Sequence, residues 1–157
     1  MKRFWLLGCL LLCGPVQAAS PNETPEKFIE LLGKKGMGDA LDYLYSQLTA
    51  AGDDGHAADN KRKFESMKAQ LTAVDIGEVR SSDLILDESY GPHYSRQVYL
   101  LVLADKAARF EFYQYDAGAQ WRLSSFQFEA GSDGMNVKLK EDALSPGFRP
   151  RGTPPAP

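Results

Sequence analysis

Few residues of this chain are of the types that do chemistry near neutral pH. It holds two histidines and two cysteines, and lacks a Ser-His-Asp set, a glycine-rich phosphate loop or a paired-cysteine ligand motif outside its first residues. His56 stands among Asp53, Asp54 and Asp59. That is the composition of a cation site, but the spacing fits no metal-binding loop, and the segment reads as a solvated acidic loop. His93 follows Pro92 between two alternating runs and reads as a turn residue. Neither a metal nor a cofactor is expected.

General acid–base work needs a group whose pKa lies near the working pH. Glu111 lies between Arg109 and Tyr113 in a strand-like run, which suits a structural ion pair better than a proton carrier. The polar groups expected on the inner face are Tyr99, Gln114 and Trp121, with Ser125 and Gln127 as further candidates, and helix residues Tyr43 and Tyr45 could add hydroxyls. None of these is a base near pH 7. Tyr43, Tyr99, Phe112, Gln114 and Trp121 form the expected wall of a ligand pocket. The balance favours binding over catalysis.

These residues must be positioned by the remainder of the chain. Lys2 and Arg3 precede an apolar run from Phe4 to Cys13, then Gly14-Pro15 and Val16-Gln17-Ala18. This is the three-part pattern of an export signal with cleavage after Ala18. The run is shorter than the roughly 20 residues that span a bilayer, so no membrane span is expected after cleavage. Processing would remove 18 of 157 residues, both cysteines and two positive charges, moving the net charge from −3 to −5. A thiol-free, mildly acidic domain in the periplasm or outside the cell is expected. Its lack of a basic patch argues against nucleic acid as a partner.

Residues 19–24 read as a linker, and 25–131 as one domain. Thr24 and Pro25 suit the start of a helix to Lys34, with Phe28, Leu31 and Leu32 on one face. A second helix starts at Asp39, with Leu41, Leu44, Tyr45 and Leu48 inward. A third, Ala58 to Leu71, turns Phe64, Met67 and Leu71 inward. The pattern then alternates, predicting strands over 74–89, 94–104, 107–115 and 120–130. A two-residue turn at Asp105-Lys106 would set Leu101 opposite Phe110 and Tyr99 opposite Phe112. The next turn would set Phe112 opposite Leu123 and Gln114 opposite Trp121. Tyr99, Leu101, Leu103, Phe110, Phe112, Trp121 and Leu123 would then share the face under the helices.

The other face would carry Val98, Leu100, Tyr113, Phe126 and Phe128, an apolar patch of the kind that marks an interface. A homodimer through this outer sheet face is the favoured reading. A bulge near Ser124-Ser125, returning Phe126 and Phe128 to the core, is the alternative. Within the extension 132–144, Met135 to Leu139 would make a fifth, edge strand. The proline-rich residues 145–157 read as a disordered tail.

Helices followed by a meander of antiparallel strands resemble the NTF2-like (cystatin-like α+β) superfamily. The likeness rests on Gly77-Glu78-Val79-Arg80-Ser81-Ser82-Asp83-Leu84, on the runs 98–103 and 108–113, and on Trp121-Arg122-Leu123-Ser124-Ser125-Phe126-Gln127-Phe128. It implies an α+β cone in which N-terminal helices pack on a curved, mainly antiparallel four-strand sheet, with a pocket between them. Fold does not imply function. The leading expectation is a non-catalytic exported domain that binds a small apolar ligand or a protein partner of the cell envelope. A structural or interaction protein acting through the outer sheet face comes second, and a dehydratase- or isomerase-type enzyme third.

Overall fold

The computed structural model describes residues 20–49, 57–73, 76–118 and 120–149. The export signal, the His56 loop and the last prolines lie outside these residues. The chain is α+β: three helices, a curved, open antiparallel sheet of four strands, and a fourth helix.

Helix α1 spans Glu23–Lys35 and α2 spans Met37–Thr49, separated by Gly36 at φ +88. That left-handed conformation is one in which glycine has no Cβ to clash. Thr24 does not cap α1. The helix starts two residues earlier than expected, Thr24 is buried in its first turn, and Asn22 holds the cap position. α3 spans Ala57–Ala73 and touches the remainder of the domain chiefly through α2.

The strands are β1 Val79–Ser89, β2 Tyr94–Leu103, β3 Ala107–Asp116 and β4 Trp121–Ala130, in the order β1-β2-β3-β4. β1 begins five residues later than its alternation suggests, and α3 runs two residues past its expected end, to Ala73. The register irregularities of β1 fall between Val79 and Ser81 and between Leu84 and Leu86. The β2–β3 register differs too: Leu101 pairs with Ala108, Tyr99 with Phe110, and Gln97 with Phe112. The turn is still two residues long but sits one residue earlier, at Ala104-Asp105, and closes with Leu103 N–H donating to Lys106 C=O at 2.9 Å. A slip of two residues keeps every side chain on its own face, since the strand period is two. The core face was therefore readable even though the pairing was not.

That face meets the helices. Phe28, Leu32, Leu41, Leu44, Tyr99, Leu101, Leu103, Phe110, Phe112 and Leu123 form one buried cluster. Phe28 packs between Phe110 at 5.0 Å and Phe112 at 5.6 Å, ring centre to ring centre. Each fully buried aromatic or leucine contributes about 1.5–3 kcal/mol of apolar transfer. Trp121 is not a member. It sits half-buried at the start of β4, opposite Asp116.

β4 carries the decisive irregularity. Gln114 pairs with Leu123, but Tyr113 pairs with Ser125, so one extra residue bulges at Ser124. A bulge reverses the side from which following residues project. Phe126 and Phe128 thereby join the helix face, with Phe128 4.8 Å from Phe110. Their placement on an outer interface is corrected.

The segment after β4 is helix α4, Ser132–Asp142, and not an edge strand. Met135 and Leu139 satisfy a helical i, i+4 spacing as well as an alternating one. The fifth position at the sheet edge goes instead to Phe148, which bridges Leu86. Asp87 N–H donates to Gly147 C=O at 3.1 Å and Arg149 N–H to Ile85 C=O at 2.8 Å. Residues 145–149 are thus tied to β1, which corrects the reading of that stretch as a disordered tail. Val98 lies under this cover with Leu86, and both are fully buried. Val98 is consequently no surface for a second copy, while Leu100 and Tyr113 stay half-buried on that face.

Gly147 is required by this contact. A Cβ there would lie 2.5 Å from the Asp87 carbonyl oxygen. Gly147→Ala is expected to lift the strap from β1 and cost about 1–3 kcal/mol, as overpacking does. Hydrogen exchange at Asp87 and Arg149 checks this; unchanged protection would show that the strap does not hold β1 in solution.

Candidate functional site

Three polar or concave constellations stand out among the described residues. The first is a groove of about 480 Å³ between α2, α3 and β4. α2 supplies Tyr45 and Leu48, on the flank of the stripe whose centre, Leu41 and Leu44, is buried against the sheet. α3 supplies Lys63, Phe64 and Met67. Tyr45 and Phe64 stack at 4.5 Å and 31°, and Lys68 pairs with Asp42 at 2.5 Å, holding α3 on α2. β4 supplies Ser124, Ser125 and Phe126, the bulge and the residue that it redirects. The lining is aromatic and aliphatic with two hydroxyls at its rim. Lys63 is engaged on the surface by Asp59 at 2.7 Å, so the groove is close to neutral.

The second constellation is an ion network on the outer face of the sheet. Arg109 is fully buried, and Nε donates to Asp142 Oδ2 at 2.7 Å while Nη2 donates to Oδ1 at 3.0 Å. Nη1 donates to Glu111 Oε2 at 2.8 Å. Arg96 joins Glu111, Glu88 and Asp142, and the Tyr113 hydroxyl donates to Glu111 at 2.7 Å. Asp142 ends α4, so this network fastens α4 to the sheet. Burial alone would raise the Glu111 carboxyl, but hydrogen bonds from Tyr113, Arg109 and Arg96 outweigh it and hold the group below its ordinary range. Burial and its bond to Glu111 push the Tyr113 hydroxyl up to about 12. Glu111 is therefore a permanent anion, unsuited to carrying protons at neutral pH.

The third is a buried amide cluster on the inner face. Gln114 Nε2 donates to Gln97 Oε1 at 3.2 Å and to the Pro21 carbonyl, and Gln97 Nε2 donates to Asn22 Oδ1. These bonds pin residues 21 and 22 to the sheet. The Tyr99 hydroxyl is pushed upward by burial, then by the charges of Glu26 and Asp87.

None of the five residues expected to wall a pocket lines the groove, although Tyr45 and Ser125, also expected to offer polar groups inward, do. Tyr99 and Phe112 meet edge to face at 6.0 Å within the core, Gln114 belongs to the amide cluster, Tyr43 is half-buried beside Thr24, and Trp121 stands at the sheet end. The space under the helices where a pocket was expected is filled by Phe28, Phe110 and Phe112. The concavity lies to one side, where α3 leans away from the sheet. Phe64 and Met67 were readable as an inward stripe, and the Ser124-Ser125 bulge as an alternative register. Their meeting was not readable.

His93 is exposed at the β1–β2 turn, with Nδ1 3.3 Å from Asp116 Oδ2. Among the described residues no group of three or more His, Cys, Asp or Glu side chains is arranged to hold a metal ion, and no helix is long and apolar enough to cross a membrane. No family model, curated protein or solved structure matches the chain.

Proposed function

We propose that this protein is an exported binding domain of NTF2-like architecture whose groove between α2, α3 and β4 takes an apolar ligand. The observation that carries the reading is the groove itself. Its volume of about 480 Å³ falls within the roughly 300–1,000 Å³ of ligand sites, which are mostly apolar with a few polar groups at the rim. Its floor of Tyr45, Phe64, Met67 and Phe126 fits that description, with Ser124 and Ser125 as the polar groups. Among the described residues the buried in-sheet carboxylate, Glu111, is locked between two arginines, which weighs for binding over acid–base catalysis.

The test uses phenylnaphthylamine, a neutral fluorophore that brightens in apolar surroundings. Saturable binding to the full chain is expected. Ser125→Trp, at an exposed rim position, should fill the groove and weaken binding by about tenfold or more, equivalent to about 1.4 kcal/mol. The melting temperature should stay within a few degrees. Equal binding by Ser125→Trp would place the fluorophore elsewhere and remove the proposal.

A further inference from the structure

The groove has two unlike walls. One is made by helices α2 and α3 and is apolar. The other is β4, which stands last in the strand order β1-β2-β3-β4. An edge strand directs alternate N–H and C=O groups away from its single neighbour. Ser124 and Ser125 are exposed on this strand, so the backbone there is not roofed by its own side chains.

A ligand lying in the groove therefore meets a row of backbone donors and acceptors on one side and a pocket of Tyr45, Phe64, Met67 and Phe126 on the other. A hydrocarbon would use only the second. An extended polypeptide uses both. Its backbone completes the ladder, and its side chains, alternating in direction, send every second one toward the helices.

The groove's charge agrees with this class. Its single cation, Lys63, is already paired with Asp59, so no charged terminus or phosphate is called for. A pocket flanked by stacked Tyr45 and Phe64 suits one bulky apolar side chain.

Resting on the groove reading, we infer that the occupant is an extended peptide segment of a partner protein. It adds as a strand to β4 and inserts an apolar side chain between α3 and Phe126. The Ser124 bulge then has a role beyond turning Phe126 inward. By interrupting the ladder it marks where the added strand and the pocket come into register.

The experiment selects a random short-peptide library on the full chain, with counter-selection on Ser125→Trp. Enriched peptides should share a bulky apolar residue at one position. Methylating their alternate backbone nitrogens should weaken binding by about tenfold or more, since each hydrogen bond lost is worth about 1 kcal/mol. Their binding should slow hydrogen exchange at alternate amides of β4. Methylated peptides that bind equally well, or enrichment that survives on Ser125→Trp, would overturn the inference. So would a β4-to-β4 dimer of the free protein in sedimentation. No enrichment while phenylnaphthylamine still binds would remove the peptide and leave the apolar groove standing; failure of both would remove the groove as well.

Discussion

Asp142→Ala is expected to lower stability by about 3–5 kcal/mol, the cost of stripping one partner from a buried ion pair. The figure follows from where the charges lie. Arg109 is fully buried and spends two of its donors on Asp142, so alanine would leave two buried donors with neither water nor an acceptor, and Glu111 shared with Arg96 as the remaining counter-charge. Arg96 would lose a partner as well. The loss should be confined at first to α4 and the strap, so exchange protection at Leu86 and Val98 should fall before that of the helix-side core. Pairing the change with Arg109→Met should recover part of the loss, because hydrophobic replacement of both partners removes the stranded charge. Urea denaturation of the single and double variants decides the matter, and a single variant within 1 kcal/mol of the parent would show that the network does not form in solution.

Acid should work on the same network. Glu111 and Glu88 both have folded-state pKa values depressed below their ordinary range. Their contribution is complete above the unfolded value, near 4.3 for glutamate, and is lost as pH falls through the lower folded values. Stability should therefore decline below about pH 5, and Glu111→Gln should flatten that decline.

Phe28→Ala is the second large effect, at about 3–5 kcal/mol for a buried aromatic. Phe28 is the residue of α1 that meets both Phe110 and Phe112, so its loss opens a cavity between helix and sheet. Trp121→Ala is the informative contrast. Composition alone ranks tryptophan first among core anchors, yet its half-exposed place at the start of β4 predicts a cost of about 1 kcal/mol or less. Thermal melts of the two variants check the order, and a larger loss at Trp121 would mean that β4 is misplaced.

What the sequence reveals of this fold depends on the range of the interaction. Helix stripes and strand alternation are local, and they located α1, α2, α3 and four strands to within a few residues. Face assignment survived a turn placed one residue too late, because that shifts the pairing by two residues. It failed at Ser124, where the slip was one and moved Phe126 and Phe128 to the other side. Arg109 and Asp142 are 33 residues apart, and no periodicity links them. The Gly147-Phe148-Arg149 strap sits in a proline-rich stretch whose average composition resembles disorder, while its order comes from backbone bonds to β1. The groove is the same kind of case: it exists because α3 meets β4 at a distance, and each wall taken alone looks like ordinary core.

The pinning of Asn22 on Gln97 has a geometric consequence. Gln97 Nε2 also reaches Asp87 Oδ1 at 3.4 Å, and Asp87 Oδ2 holds Arg149 at 2.5 Å. Residue 22 and residue 149 are thus joined by a relay of three hydrogen bonds among four side chains. The two ends of the described chain therefore meet at one edge of the sheet, and a tether joining them would need to be only short.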